Sequence, residues 1–270
     1  MSSQLPDVNP GYYRQLSDIQ FISRDEGWTL GTLHKYGAPD SQQGVLLHYS
    51  NGGWANVTLP DISPNWSLSS IHFFSSNEGL AVGVDLLNQE IILLRYTNGE
   101  WKNDAAIAVQ PISTTIGSVF FTSSNEGWVA GIHYQRSGKQ GFILHYLNGE
   151  LKTSKLPPIL NWDLRDIRFV SPDEGWAVGI RYAGYRHSKG VLLHYLNGRW
   201  KSVTPPEVGS DWYLNGVDFI SPDEGWAVGG STVLHYVNGS WTTVSIPGLD
   251  NFLGSIFTDV QFTSPNQGWI

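Results

Sequence analysis

The sequence predicts an all-β fold made of repeated four-stranded antiparallel blades, and three recurrences predict it. The phrase Glu-Gly-Trp-Ala-Val-Gly, complete at 174–179 and 224–229, has relatives around Gly27, Gly79 and Gly127 and a broken copy at Gly268, so the unit returns every 43 to 52 residues. An Ile/Val-x-Phe pair precedes every copy, at Ile19/Phe21, Ile71/Phe73, Val119/Phe121, Ile167/Phe169, Val217/Phe219 and Val260/Phe262. An Asn-Gly pair follows, at Asn51-Gly52, Asn98-Gly99, Asn148-Gly149, Asn197-Gly198 and Asn238-Gly239. A period near fifty residues that carries four strands is the length of one β-propeller blade. The pattern predicts a single propeller domain over 1–270, with five complete blades near 16–60, 68–108, 115–157, 163–206 and 213–247 and a partial sixth repeat over 256–270.

Residues 163–206 show why each strand is expected. Asp166-Ile167-Arg168-Phe169-Val170 alternates polar and apolar residues, as a strand with one packed face does. In Ser171-Pro172-Asp173-Glu174-Gly175, proline sets the first turn dihedral, and the glycine is expected to supply a positive φ. Trp176-Ala177-Val178-Gly179 forms the second strand. Val191-Leu192-Leu193-His194-Tyr195 is almost wholly apolar, which suits a third strand covered on both faces. Asn197-Gly198 favours a type I′ hairpin because both residues tolerate positive φ. The fourth strand opens at Arg199-Trp200 and ends before Pro205-Pro206, where no amide is available for a ladder. The 12 tryptophans fall in three columns. Those opening the second strand (Trp28, Trp128, Trp176, Trp226, Trp269) and the fourth (Trp54, Trp101, Trp200, Trp241) are expected to be structural, with Leu80 and Leu151 as apolar replacements.

Composition narrows the partners. With 16 basic and 24 acidic residues the net charge is −8, which argues against nucleic acid or an anionic membrane as the main partner. Cysteine is absent, so neither a disulfide nor a thiolate metal site is available. Residues 1–11 lack a basic stretch followed by an apolar run, and no segment has the ~18 apolar residues of a membrane helix, so a soluble chain without membrane insertion is expected.

The candidate chemistry is sparse. Turn acids recur as Asp25/Glu26, Asn77/Glu78, Asn125/Glu126, Asp173/Glu174 and Asp223/Glu224. Calcium needs about 6–8 converging oxygens, so these are expected to bond nearby backbone N–H groups instead. His48, His145, His194 and His235 share a column with Arg95; one per blade is too dispersed for a shared metal, and packing is expected. No Gly-x-Ser-x-Gly elbow or His-Glu-x-x-His helix occurs, and neither a cofactor nor catalysis is expected. Gln20, His72, Arg168, Asp218 and Gln261 alternate with the packed pair and are expected to line a central channel and hold water.

The loops carry the functional expectation. Between the second and third strands stand Tyr134 and Arg136, then Arg181, Tyr182 and Arg186, a tyrosine and arginine mixture typical of binding hot spots. The loops from the fourth strand to the next blade add Trp66, Trp162 and Trp212, read either as aromatic platforms for a ligand or as seals between blades. The expected function is a non-enzymatic scaffold for a protein or peptide. A lectin holding glycan on repeated aromatic sites is second, and a glycosidase third.

The Glu-Gly-Trp-Ala-Val-Gly phrase followed by Asn-Gly-x-Trp resembles the repeats of the propeller family that includes the photosystem II assembly and stability factor. Its Asn-Gly-Arg-Trp segment is also similar to the Asp-box of bacterial neuraminidase repeats, without the Ser-x-Asp-x-Gly spacing. Gly229-Gly230, Tyr236 and Trp241 resemble one kelch blade. The first resemblance implies a propeller over nearly the whole chain, and an assembly-factor role in a photosynthetic source. Residues 18–22 and 259–263 are copies of one strand and would compete for one place in a five-bladed ring, whereas a larger ring would leave open edges. Strand exchange or homo-oligomerisation is therefore expected, and an end inside the motif fits a truncated or engineered fragment.

Overall fold

The computed structural model describes residues 4–108, 113–184, 187–246, 256–264 and 267–270, and every regular element among them is a strand. The first sheet runs β1 (Tyr12–Ser23), β2 (Glu26–Lys35), β3 (Ala38–Ser50) and β4 (Gly53–Asn56). The second runs β5 (Trp66–Ser75), β6 (Glu78–Asp85), β7 (Glu90–Thr97) and β8 (Glu100–Ala108), and the third β9 (Ser113–Ser123), β10 (Glu126–Gln135), β11 (Gly138–Leu147) and β12 (Glu150–Thr153). The fourth holds β13 (Trp162–Ser171), β14 (Glu174–Tyr182), β15 (Ser188–Leu196) and β16 (Arg199–Ser202); the fifth holds β17 (Gly216–Ser221), β18 (Glu224–Gly229), β19 (Thr232–Val237) and β20 (Ser240–Thr243). β21 (Gln261–Ser264) and β22 (Gln267–Trp269) make a two-stranded sheet. Each four-stranded sheet keeps its strands in chain order, which is the meander of a propeller blade. The chain forms two compact units, Met1–Gly127 with Tyr146–Leu151 and Trp128–His145 with Lys152–Ile270.

Turn chemistry explains the sheet order. Asn51, Asn98, Asn148, Asn197 and Asn238 have φ between 45° and 52°, and each following glycine is also positive, so these hairpins turn as the sequence requires. The glycine after each turn acid behaves differently. Gly175 has no positive φ; a Cβ there would sit 2.6 Å from the Phe169 ring, and Gly79 and Gly225 meet Phe73 and Phe219 in the same way. This glycine is therefore required by the phenylalanine lying across it. A register shift between Leu164 and Asp166 bends β13, and Gly179 lies so close to the Asp163 carbonyl that no side chain fits there.

The phenylalanine column builds the seams. Trp28 stacks on Phe73 of the following sheet at 4.8 Å, Trp128 on Phe169 at 3.6 Å and Trp176 on Phe219 at 5.8 Å, while Trp226 lies tilted over Phe262 at 4.4 Å. Ile71, Phe73, Ile167 and Phe169 are buried beneath such contacts. In β1 the same pair is half exposed, Ile19 at 55% and Phe21 at 50%, and Trp269 of β22 is 57% exposed. The structural tryptophan columns thus hold where a seam forms and loosen at these two positions.

Two polar columns differ from their expected roles. Serine hydroxyls, rather than the acids, accept the turn amides: Ser23, Ser75, Ser123 and Ser221 take the N–H two residues on, at 3.2–3.3 Å. Glu26, Glu174 and Glu224 instead face His48, His194 and His235 at 3.4, 2.9 and 3.2 Å, and Arg95 takes the place of histidine opposite Glu78. Those histidines stack on Trp28, Trp176 and Trp226 at 3.9–4.2 Å. Finally, Gln20 and Asp218, expected to hold water, accept the Phe73 and Phe262 amides of the following sheets at 2.7 Å. Arg168 meets Asp218 at 3.2 Å.

An unforeseen device joins the first strands. Asp166 accepts its own neighbour's amide, Ile167 N–H, at 2.8 Å with one oxygen and Val217 N–H of the next sheet at 2.8 Å with the other. Asp18 does the same, binding Ile19 N–H, Ile71 N–H and the Ser70 hydroxyl. A carboxylate has enough lone pairs to satisfy both edges at once.

Candidate functional site

The start of β11, the end of β14 and the start of β13 meet in the second unit. Their centre is Asp163, buried beside Trp162 at the start of β13 with its side chain 1% exposed. A buried carboxylate needs several donors. The Tyr182 hydroxyl donates to it at 2.6 Å, Lys139 approaches at 3.7 Å and Arg165 Nε at 3.4 Å. Lys139 also donates to the Tyr182 hydroxyl oxygen at 2.8 Å and lies 4.0 Å from that ring's centroid, with the Tyr134 ring at 5.8 Å. Burial alone would lower the Lys139 ammonium, but the Tyr182 oxygen and the charges of Tyr182 and Asp163 outweigh it and hold the group above the usual lysine range.

Backbone geometry fixes these groups. Asn161, at φ 52°, accepts the Lys139 N–H through its side chain and donates to the Tyr182 carbonyl, while its own carbonyl accepts Tyr182 N–H at 2.8 Å. Arg165 continues the network, donating to Asn215 at 2.5 Å with its guanidinium 5.3 Å from the Tyr213 ring. Around this frame Tyr134, Arg136 and Arg181 are exposed.

Of the residues singled out from sequence, Tyr134, Arg181 and Tyr182 lie in the last residues of β10 and β14 rather than in loops, because the strand ladders run further than expected, and Arg136 stands in the short turn after β10; Tyr182 serves as the hydrogen-bonded support. Arg186 lies outside the described residues. Two of the three tryptophans stand in strands rather than loops, since Trp66 and Trp162 open β5 and β13 while Trp212 stays in the connection before β17; Trp66, Trp162 and Trp212 are 5, 0 and 5% exposed. Their rings lie flat over Gly44, Gly141 and Gly190 of the preceding sheet, positions where any Cβ would collide with them. They leave no open face on which a sugar could stack. Lys139, Asp163 and Asn161 were not anticipated. No periodicity marks them, because a buried carboxylate and the groups around it come from the ends of separate strands.

No family model and no curated protein matches the chain. Solved structures do resemble it. YCF48 bound to D1 peptide is 16% identical, with 99% of this chain and 95% of that one covered and a TM-score of 0.47; YCF48 from Cyanidioschyzon merolae is 12% identical over 90% and 100%, with a TM-score of 0.37. A puromycin-hydrolysing peptidase of Mycobacterium tuberculosis is 10% identical, with a TM-score of 0.57 over 86% of this chain. This chain spans 39% of the peptidase's length, and at such identities the likeness is one of fold.

Proposed function

We propose that the chain is a non-enzymatic propeller scaffold that holds a protein or peptide segment on the loops around Tyr134, Arg136, Arg181 and Tyr182. One observation carries the reading. In a chain of net charge −8, Lys139 of β11 and Arg165 of β13 stand against one buried carboxylate, and Arg136, in the turn from β10 to β11, and Arg181, near the end of β14, are exposed. The Asp163 network holds Lys139 and Tyr182 in place, so little conformational entropy is lost when a partner's carbonyls or carboxylates take up the exposed guanidinium donors. Arg186 shares the β14–β15 connection by sequence and belongs to the same proposed surface.

The burial of Trp66, Trp162 and Trp212 favours a sealing role for them over the platforms on which a lectin would rely. A glycosidase needs two carboxyl groups free to face one bond, whereas Asp163 is engaged by Tyr182, Lys139 and Arg165. Screening a displayed peptide library against the protein tests the proposal. Selected peptides are expected to lose about tenfold or more in affinity to an Arg136→Ala, Arg181→Ala variant, with the melting temperature unchanged. Equal affinity for this variant would refute the assignment, and turnover of chromogenic glycosides or peptides would refute the non-enzymatic reading.

A further inference from the structure

A second surface stands apart from those loops. Along the outer strands of the third and fourth sheets, a cleft of about 990 Å³ is floored by Trp128, Tyr195 and Trp200 and rimmed by Lys152, Lys155, Arg199 and Lys201. Among the described residues, no carboxylate lines it. Lys155, Arg199 and Lys201 are exposed and make no ion pair with a described residue.

Lysines on an edge strand also guard against unwanted pairing, but such protection would be expected on every blade. It is not spread that way. The matching strands β4 (Gly53-Trp54-Ala55-Asn56) and β20 (Ser240-Trp241-Thr242-Thr243) carry no charge. In β8 the cation Lys102 is paired with Glu100 at 2.9 Å, and the neighbouring Arg95 takes Asp104 at 3.0 Å. Four cations thus line one cleft of an acidic protein.

β16 is the last strand of its sheet, paired with β15 alone, so its outer backbone edge borders the cleft. Arg199 and Lys201 alternate with the buried Trp200 along it. We infer that this cleft binds an extended acidic peptide, which adds as a strand to β16 and sets alternate carboxylates against Arg199, Lys201 and Lys155. Main-chain bonds would supply affinity, and the alternating charge would supply register.

A fluorescein-labelled peptide alternating glutamate and valine, followed by anisotropy, tests the inference. Saturable binding is expected for it and none for the lysine and valine counterpart. The Lys155→Glu, Lys201→Glu variant is expected to lose about tenfold or more, while Arg136→Ala, Arg181→Ala leaves this binding intact, which separates the site from the loop surface. An unchanged affinity in the charge-reversed variant overturns the inference. So does equally tight binding of oligothymidylate, which would mark a surface for any polyanion. If the reversed variant does not fold, the bound peptide should still protect Lys155 and Lys201 of the native protein from acetylation, read by mass spectrometry, and absence of protection overturns the proposal.

Discussion

At the residue scale, small groups in fixed places decide stability. Gly175→Ala is expected to cost about 1–3 kcal/mol by overpacking against Phe169, whereas Gly27→Ala should cost less, because Phe21 is half exposed and its ring has room to move. Urea unfolding of the two variants measures the difference. Asp166→Ala removes one acceptor from two backbone amides of separate sheets and is expected to cost about 3 kcal/mol. His133 supplies a pH test. Stacked on Phe142 at 4.2 Å, its imidazole is pushed by burial below the usual histidine range. Its folded pKa then lies below the unfolded one, so the unfolded chain binds the proton more readily. The contribution is complete above the unfolded value of about 6.5 and is lost as pH falls toward the folded one. Replacing His133 with glutamine should flatten that part of the melting-temperature profile on the acid side relative to the parent protein; an unaltered profile would exclude His133 as its source.

At the scale of elements, the seam is the unit of energy. A tryptophan of one sheet covers the phenylalanine of the next, so the same substitution should have unequal effects along one column. Phe73→Ala, where the ring is 5% exposed beneath Trp28, is expected to cost about 3–5 kcal/mol. Phe21→Ala, at 50% exposure, should cost about half as much or less, with Tyr49 and Trp54 its remaining edge contacts. Equal losses in denaturant titrations would mean that Phe21 is covered in solution. The column itself was legible in the sequence, since Ile/Val-x-Phe recurs in every unit. Which copies are covered was not, because burial depends on the neighbouring sheet.

At the scale of the whole molecule, the exposed Ile19 and Phe21 test the expectation of association. If copies exchange strands or pair through this face, light scattering should give a mass above that of one chain, and Phe21→Asp should return it to the monomer. A monomeric mass at all concentrations would remove association from the account. The loops around Asp163 belong to this scale as well. Tyr134, Arg136, Arg181 and Tyr182 were legible as a hot-spot composition, but their support was not, because Lys139, Asn161 and Asp163 meet Tyr182 only after the ends of separate strands are brought together.

By itself the sequence determined the strands, their order within each sheet and the hairpins, because alternation, Asn-Gly turns and proline stops act over a few neighbouring residues. It also determined that each unit carries a tryptophan and a phenylalanine for packing. The tertiary structure alone decided which side chains are ligand-facing and which are buried. Trp66, Trp162 and Trp212 pack over glycines of the preceding sheet that leave room for their rings, and the turn glutamates found histidines on the adjacent strand instead of nearby amides. Those outcomes depend on groups about ten to twenty residues apart in the chain, a separation at which local pattern carries no information about contact.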